Sequence, residues 1–305
     1  MQKFKKFLID NLKIVPKERF KKSELTESLN QFENLFQNNQ FNFENEFFFK
    51  EKYEVYDLAL NSLILWNLSL TNILLKESQE LKHNPIPTQK EYFTHLQIHL
   101  TNNLLSVKHL FNLGLDTQAK NIYRNSIEIS DLALCILNKK DFFEIHIKPQ
   151  LNKKGNPYIS PKNKTLQSQA EHVMIGINKH LKNETKNIIE VCWKEIRKEH
   201  YSSLSESAHG NFFQNTQNSL KKTHTNKFIP SIGGGKWLGM EKSLSDICLH
   251  QIASKGYLTW SLDLNNNIDL FDNSTVPNKL IWFLDFVIGK KLLKELIEPM
   301  IPTNE

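Results

Sequence analysis

Arginine is nearly missing from this chain: Arg19, Arg124 and Arg197 are three among 39 basic residues. Glycine and proline are scarce, ten of each in 305 residues. Turns draw heavily on those two residues, so a few long helices are favoured over many short strands. Cysteine occurs three times, as Cys135, Cys192 and Cys248, with no CxxC pair. That excludes a disulfide framework and a zinc ribbon. Each cysteine sits in a helical apolar pattern and reads as a small buried hydrophobe in a reducing compartment.

Membrane and catalytic signatures are lacking too. Leu58–Leu75 is the most apolar stretch, but Asn61, Ser62, Asn67, Ser69, Thr71 and Asn72 interrupt it. It is too polar for a membrane span and suits a core helix. The start, MQKFKKFLIDNLKIVP, is basic, yet Asp10 and Asn11 break its apolar run, so it has no signal-peptide core. The expectation is a cytoplasmic protein with no membrane contact. There is no HExxH and no GxSxG. IGGGKW at 232–237 is not a P-loop, because Pro230 stands where the first glycine belongs and Trp237 where Ser or Thr belongs. No cofactor is expected. Glu91, His95 and His99 recur every fourth residue, but beside the core face, so they read as a solvated row rather than metal ligands. Glu206-x-x-His209 is a single motif where a di-iron bundle needs two. No metal site is expected.

Helical periodicity is what the chain does have. Segments at about 3–13, 17–38, 43–82, 88–113, 117–138, 165–182, 184–209, 241–260 and 277–298 carry it. Thr88 starts the fourth, Asp116 is the expected cap of the fifth, and Ser274 or Thr275 that of the last. No convincing strand pair and no fixed-period repeat is visible. The expectation is an all-α bundle of about eight or nine helices, with residues 1–40 as an N-terminal helical arm and 41–305 as the bundle domain. Two long basic loops are expected. One, 148–164, carries Lys148, Lys153, Lys154, Lys162 and Lys164. The other, 210–240, carries Lys221, Lys222, Lys227 and Lys236. Loops of this length are uncommon and often functional, and Lys236 is a candidate anion-binding residue. The net charge of +6 permits RNA or another anionic ligand without requiring it.

Residues 117–138 raise a sharper question. Ala119, Ile122, Tyr123, Ile127, Ala133, Leu134 and Leu137 share one helix face, and Ile129, Leu132 and Ile136 form another apolar patch. Between them runs a line spaced 4, 3 and 4: Arg124, Glu128, Asp131 and Cys135. Charges on a helix that is apolar on two sides must pair, because an isolated buried charge costs several kcal/mol. The line is either an internal ion-pair network or the wall of a polar pocket. The use of one of three arginines here suits the planar guanidinium fork. Farther on, Tyr201, Ser205 and His209 also recur every fourth residue along one helix side. His209 stands in a last turn, where the helix dipole raises a histidine pKa. That place fits a C-cap as well as a catalytic group.

LFNLGLDTQAKNIYRNSIE (110–128), followed by YSSLSESAHGN (201–211), resembles a group of uncharacterised bacterial helical proteins. The matching positions are Arg124, Glu128, Tyr201, Ser205 and His209. Some of that group resemble the HEPN class of helical ribonucleases and toxins, many tied to phage defence. HEPN nucleases have an arginine followed four to six residues later by a histidine on one helix, and none of the three arginines here has one. A nuclease site on this chain would have to be composite, with Arg124 facing His209. The resemblance implies two readings. In one, the chain is an interaction protein, binding a protein partner or ligand, in phage defence. In the other, it is a ribonuclease or phosphodiesterase: Arg124 stabilises phosphate charge, Glu128 holds it, His209 is general acid or base, and Tyr201 and Ser205 orient His209. Asp131 and Lys236 complete the ligand-binding set. Related helical folds often pair, so a homodimer is a further expectation.

Overall fold

The structure is a computed structural model. It describes residues 2–16, 19–38, 53–77, 87–113, 115–139, 141–151, 163–180, 220–222, 228–230, 240–264, 270 and 275–297. The elements are α1 (Gln2–Leu12), α2 (Lys22–Asn38), α3 (Glu54–Glu77), α4 (Gln89–Asn112), α5 (Asp116–Asn138), a π-helical turn (Phe143–Ile147), α6 (Lys148–Leu151), α7 (Asn163–Asn178), β1 (Leu220–Lys222), β2 (Phe228–Pro230), α8 (Met240–Leu264), α9 (Val276–Val287), a second π-helical turn (Ile288–Leu292) and α10 (Leu293–Ile297). The protein is an all-α multi-helix bundle. The one ladder among the described residues is a short antiparallel ribbon that pairs Leu220 with Pro230 and Lys222 with Phe228. Three-residue strands are too short for alternation to reveal them.

The helix ends follow local chemistry. Thr88 and Glu91 form a reciprocal capping box at the start of α4, which satisfies two orphan N–H groups. Thr275 caps α9 by accepting from the Asn278 N–H, with Pro277 in the first turn. Asp116 is not the cap of α5. Leu115 holds that position without a side-chain hydrogen bond, and Asp116 is the first helical residue. Both expected basic loops hold structure: the second contains the ribbon of Leu220–Lys222 and Phe228–Pro230, and the first is helical at its edges. Residues 148–151 and 163–164 are helical, and Lys148 pairs with Glu144 at 2.8 Å. The remainder of 148–164, residues 152–162, lies outside the described residues.

α3 and α4 are antiparallel neighbours: Lys108 reaches Asp57 and Asn61 at one end, and Leu74 and Phe93 share a cavity at the other. α5 folds back on α4, where the Gln89 amide donates to the Ile136 carbonyl at 2.6 Å. α8 runs parallel to α5, as Tyr123 meets His250 and Asn138 meets Ser261. By length and a mean hydropathy of 1.5, Glu54–Lys76 could cross a membrane, but 83% of that window is buried inside the bundle. It is therefore a core helix. Residues 2–32 join the same core through Phe4, Leu8, Phe20, Leu25, Leu29 and Phe32.

The last helix holds its face by changing pitch. Its buried residues Leu284, Ile288, Leu292 and Leu296 are spaced by four. In an α-helix each such step drifts about 40° around the axis. The wider π turn over Ile288–Leu292 absorbs that drift and keeps the stripe on the core.

Candidate functional site

The charged line on α5 divides into two halves. Arg124 Nε lies 3.8 Å from Glu128 Oε1, with the side chains 23% and 32% exposed. That is beyond hydrogen-bond range. An i,i+4 pair of this kind contributes about 0.3–0.5 kcal/mol. Asp131 and Cys135, one and two turns on, are buried. Asp131 is not left unpaired there. Arg124 and Glu128 are thus together on one helix edge, with the guanidinium still reachable by solvent. Tyr201, Ser205, His209 and Lys236 lie outside the described residues.

The strongest polar chemistry is elsewhere, in the interior. Lys108 is buried on α4, with Nζ 2.7 Å from Asp57 Oδ1 and 2.6 Å from Asn61 Oδ1, to which it donates. Burial pulls its pKa below the ordinary lysine value, and the Asp57 charge works against that shift. Asn61 in turn donates to Asp57 Oδ2 at 3.1 Å. Asp57 is partly open to solvent, so the triad has one wet end.

α8 is enclosed over most of its length: every residue from Ser243 to Lys255 is buried. Polar groups along it reach α5, α7, α9 and α3. Tyr123 Oη is 2.6 Å from His250 Nδ1, with the rings edge to face, and it also accepts from the Gln251 amide at 3.3 Å. Ser261 accepts from Asn138 at 2.8 Å. The Tyr257 hydroxyl donates to Asn178 Oδ1 on α7 at 3.1 Å. Lys255 pairs with Asp285 on α9 and lies over the Trp66 ring of α3. Cys248 is held against the backbone of Tyr56. Burial, with the Asp57 and Asp246 charges, pushes its thiol far up, so it is inert as a nucleophile.

Sequence reasoning had the Arg124–Glu128 pairing but missed these cross-helix partners. Asn61 was read as a polar interruption; Asp57, and the i,i+4 spacing of Asp246, His250 and Ser254 on an apolar helix, are signals that went unread. Which helix each would face was not visible. Of the Glu91 row, His95 and His99 are exposed, and Glu91 is engaged in the Thr88 cap, which holds its carboxyl below the usual range. Among the described residues no group of three or more His, Cys, Asp or Glu could hold a metal.

The described surface holds a groove of about 940 Å³ between α2, α3 and α9, floored by Phe32, Leu65 and Leu280. A smaller cavity of about 260 Å³ lies under the first turn of α4. The Arg124 line opens into neither. No family model, no curated protein and no solved structure matches this chain.

Proposed function

We propose that this chain is a cytoplasmic helical-bundle protein that acts by binding a partner or an anionic ligand, in a phage-defence setting of the kind the resemblance implies. One observation carries the reading. Three interior ionisable groups among the described residues are committed to neighbouring helices: Lys108 to Asp57, His250 to Tyr123, Lys255 to Asp285. Groups spent on helix register are not available as acid, base or nucleophile, so the function belongs to the surface.

A second reading has one observation in its favour. Arg124 and Glu128 lie together on a partly exposed helix edge, where a guanidinium can meet a phosphate. With His209 as acid or base, and Tyr201 and Ser205 beside it, it would make a composite phosphodiesterase.

One experiment separates them. Purified protein is incubated with total RNA and tRNA, beside folded His209→Ala and Arg124→Ala variants. The expected result is no cleavage by any of the three. Cleavage by the wild type, lost in both variants, would overturn the binding reading and establish the composite site.

A further inference from the structure

Trp282 and Phe286 stand one turn apart on α9, each half-buried and packed in part against the core. Their rings are nearly parallel, at 18° with centroids 6.2 Å apart. The Arg19 guanidinium lies over the Trp282 ring, 4.8 Å from its centroid. Lys290 follows Phe286 by four residues, and Lys291 is beside it. Both lysines are exposed.

In a continuous α-helix, positions 282, 286 and 290 would fan out by about 40° per step. The π turn at Ile288–Leu292 reduces that drift for the step from Phe286 to Lys290. The same change of pitch that keeps Ile288 and Leu292 on the core therefore turns Lys290 back towards the side of Phe286. Guanidinium, indole, phenyl and ammonium thus follow one another along this part of the chain. Nearby acids are mostly engaged: Asp285 with Lys255 and Glu24 with Lys279. Glu295 is exposed on α10, one position past Lys294. Lys294 is engaged elsewhere, and Lys290 and Lys291 supply the positive charge.

Parallel aromatic rings followed by cations suit a polymer that offers flat bases and phosphates in alternation. A single strand can stack its bases on such rings, whereas a duplex keeps its bases to itself. We propose that the Arg19–Trp282–Phe286–Lys290 face binds single-stranded nucleic acid: a base packs against Phe286, and Lys290 and Lys291 meet the adjoining phosphates. The inference rests on the binding reading above, since it names the partner.

The test uses the full chain and a labelled oligouridine of about twelve nucleotides, inside the span a stacking groove covers. Binding is followed by anisotropy over a salt series, with the DNA counterpart, a duplex of equal length and phosphatidylserine vesicles in parallel. The expected result is salt-sensitive binding of a single strand. The double variant K290Q/K291Q, in exposed positions, keeps the wild-type melting temperature. It lowers the slope of log affinity on log salt by about 1.4, two phosphate contacts at about 0.7 each. An unchanged slope in that variant, equal binding of the duplex, or binding of vesicles alone would overturn the proposal. The RNA and DNA arms decide which single strand is preferred. Cleavage of the oligouridine would instead defeat the binding-only reading, and the effect of K290Q/K291Q on its affinity would still be read with His209→Ala.

Discussion

Lys108 shows how a single residue can be costly and still be kept. Its ammonium is buried, and Asp57 and Asn61 answer it. Removing one member of such a pair leaves a charge with no compensation, whereas replacing both by apolar groups is close to neutral. Asp57→Ala is therefore expected to destabilise the protein by about 3 kcal/mol in urea unfolding. The double variant Asp57→Leu/Lys108→Met should recover most of that loss. If the double variant is as unstable as the single, the triad is doing more than offsetting its own burial. The sign with pH follows from the lowered Lys108 pKa. The folded state holds that proton less tightly than the unfolded chain, so stability rises with pH as it passes from the folded pKa towards the ordinary lysine value. Little of this was legible in the sequence. A Lys beside Val107 on a mainly apolar face reads as a side chain that bends out to water. What turns it inward is a carboxylate and an amide on another helix, and no one-dimensional spacing records that.

The helices themselves were legible wherever an apolar face repeated, because a 3.6-residue period is local. Thr88 and Thr275 announced their caps in the same way. The π turns were not legible, since a spacing of four fits a drifting α-helix as well as a widened one, and only packing selects between them. On α5 the sequence yielded the line from Arg124 to Cys135 but not the division into a wet half and a dry half. That division depends on how far α8 and α7 extend along it. Docking of the first two helices depends on identifiable contacts. Arg19 covers Trp282, Phe20 packs on Phe283 at 5.5 Å, and Lys279 pairs with Glu24 at 2.8 Å. The hydrogen bond from Lys279 is the main cause holding the Glu24 carboxyl below its ordinary value. A lowered carboxyl pKa contributes stability above about pH 4.5 that is lost as pH falls through the folded value. Glu24→Gln should lower the melting temperature by about 1–3 °C at pH 7, as for a partly exposed pair, and the difference should close near pH 3. A difference that persists at pH 3 would mean that packing of the substituted side chain, not charge, is responsible.

At the scale of the whole molecule, α8 is the shared neighbour. It meets α3, α5, α7 and α9 through separate polar contacts, each at a different height. Opening it means breaking contacts on several sides at once, so its amides should exchange with deuterium only through global unfolding. Those of α1 and the first turns of α2 should exchange through a smaller local opening. Measured protection on α8 well below the global unfolding free energy would refute this. The enclosure also orders events in time. A ribosome makes α3, α4 and α5 first, then spends roughly 5–20 s on the hundred or so residues before α8 begins, at the usual elongation rates. Throughout that interval Tyr123 and Asn138 face a groove whose occupant does not yet exist. The nascent chain carries an apolar, half-built wall for longer than its helices take to form, and a cell must shield that wall until residue 264 has cleared the exit tunnel.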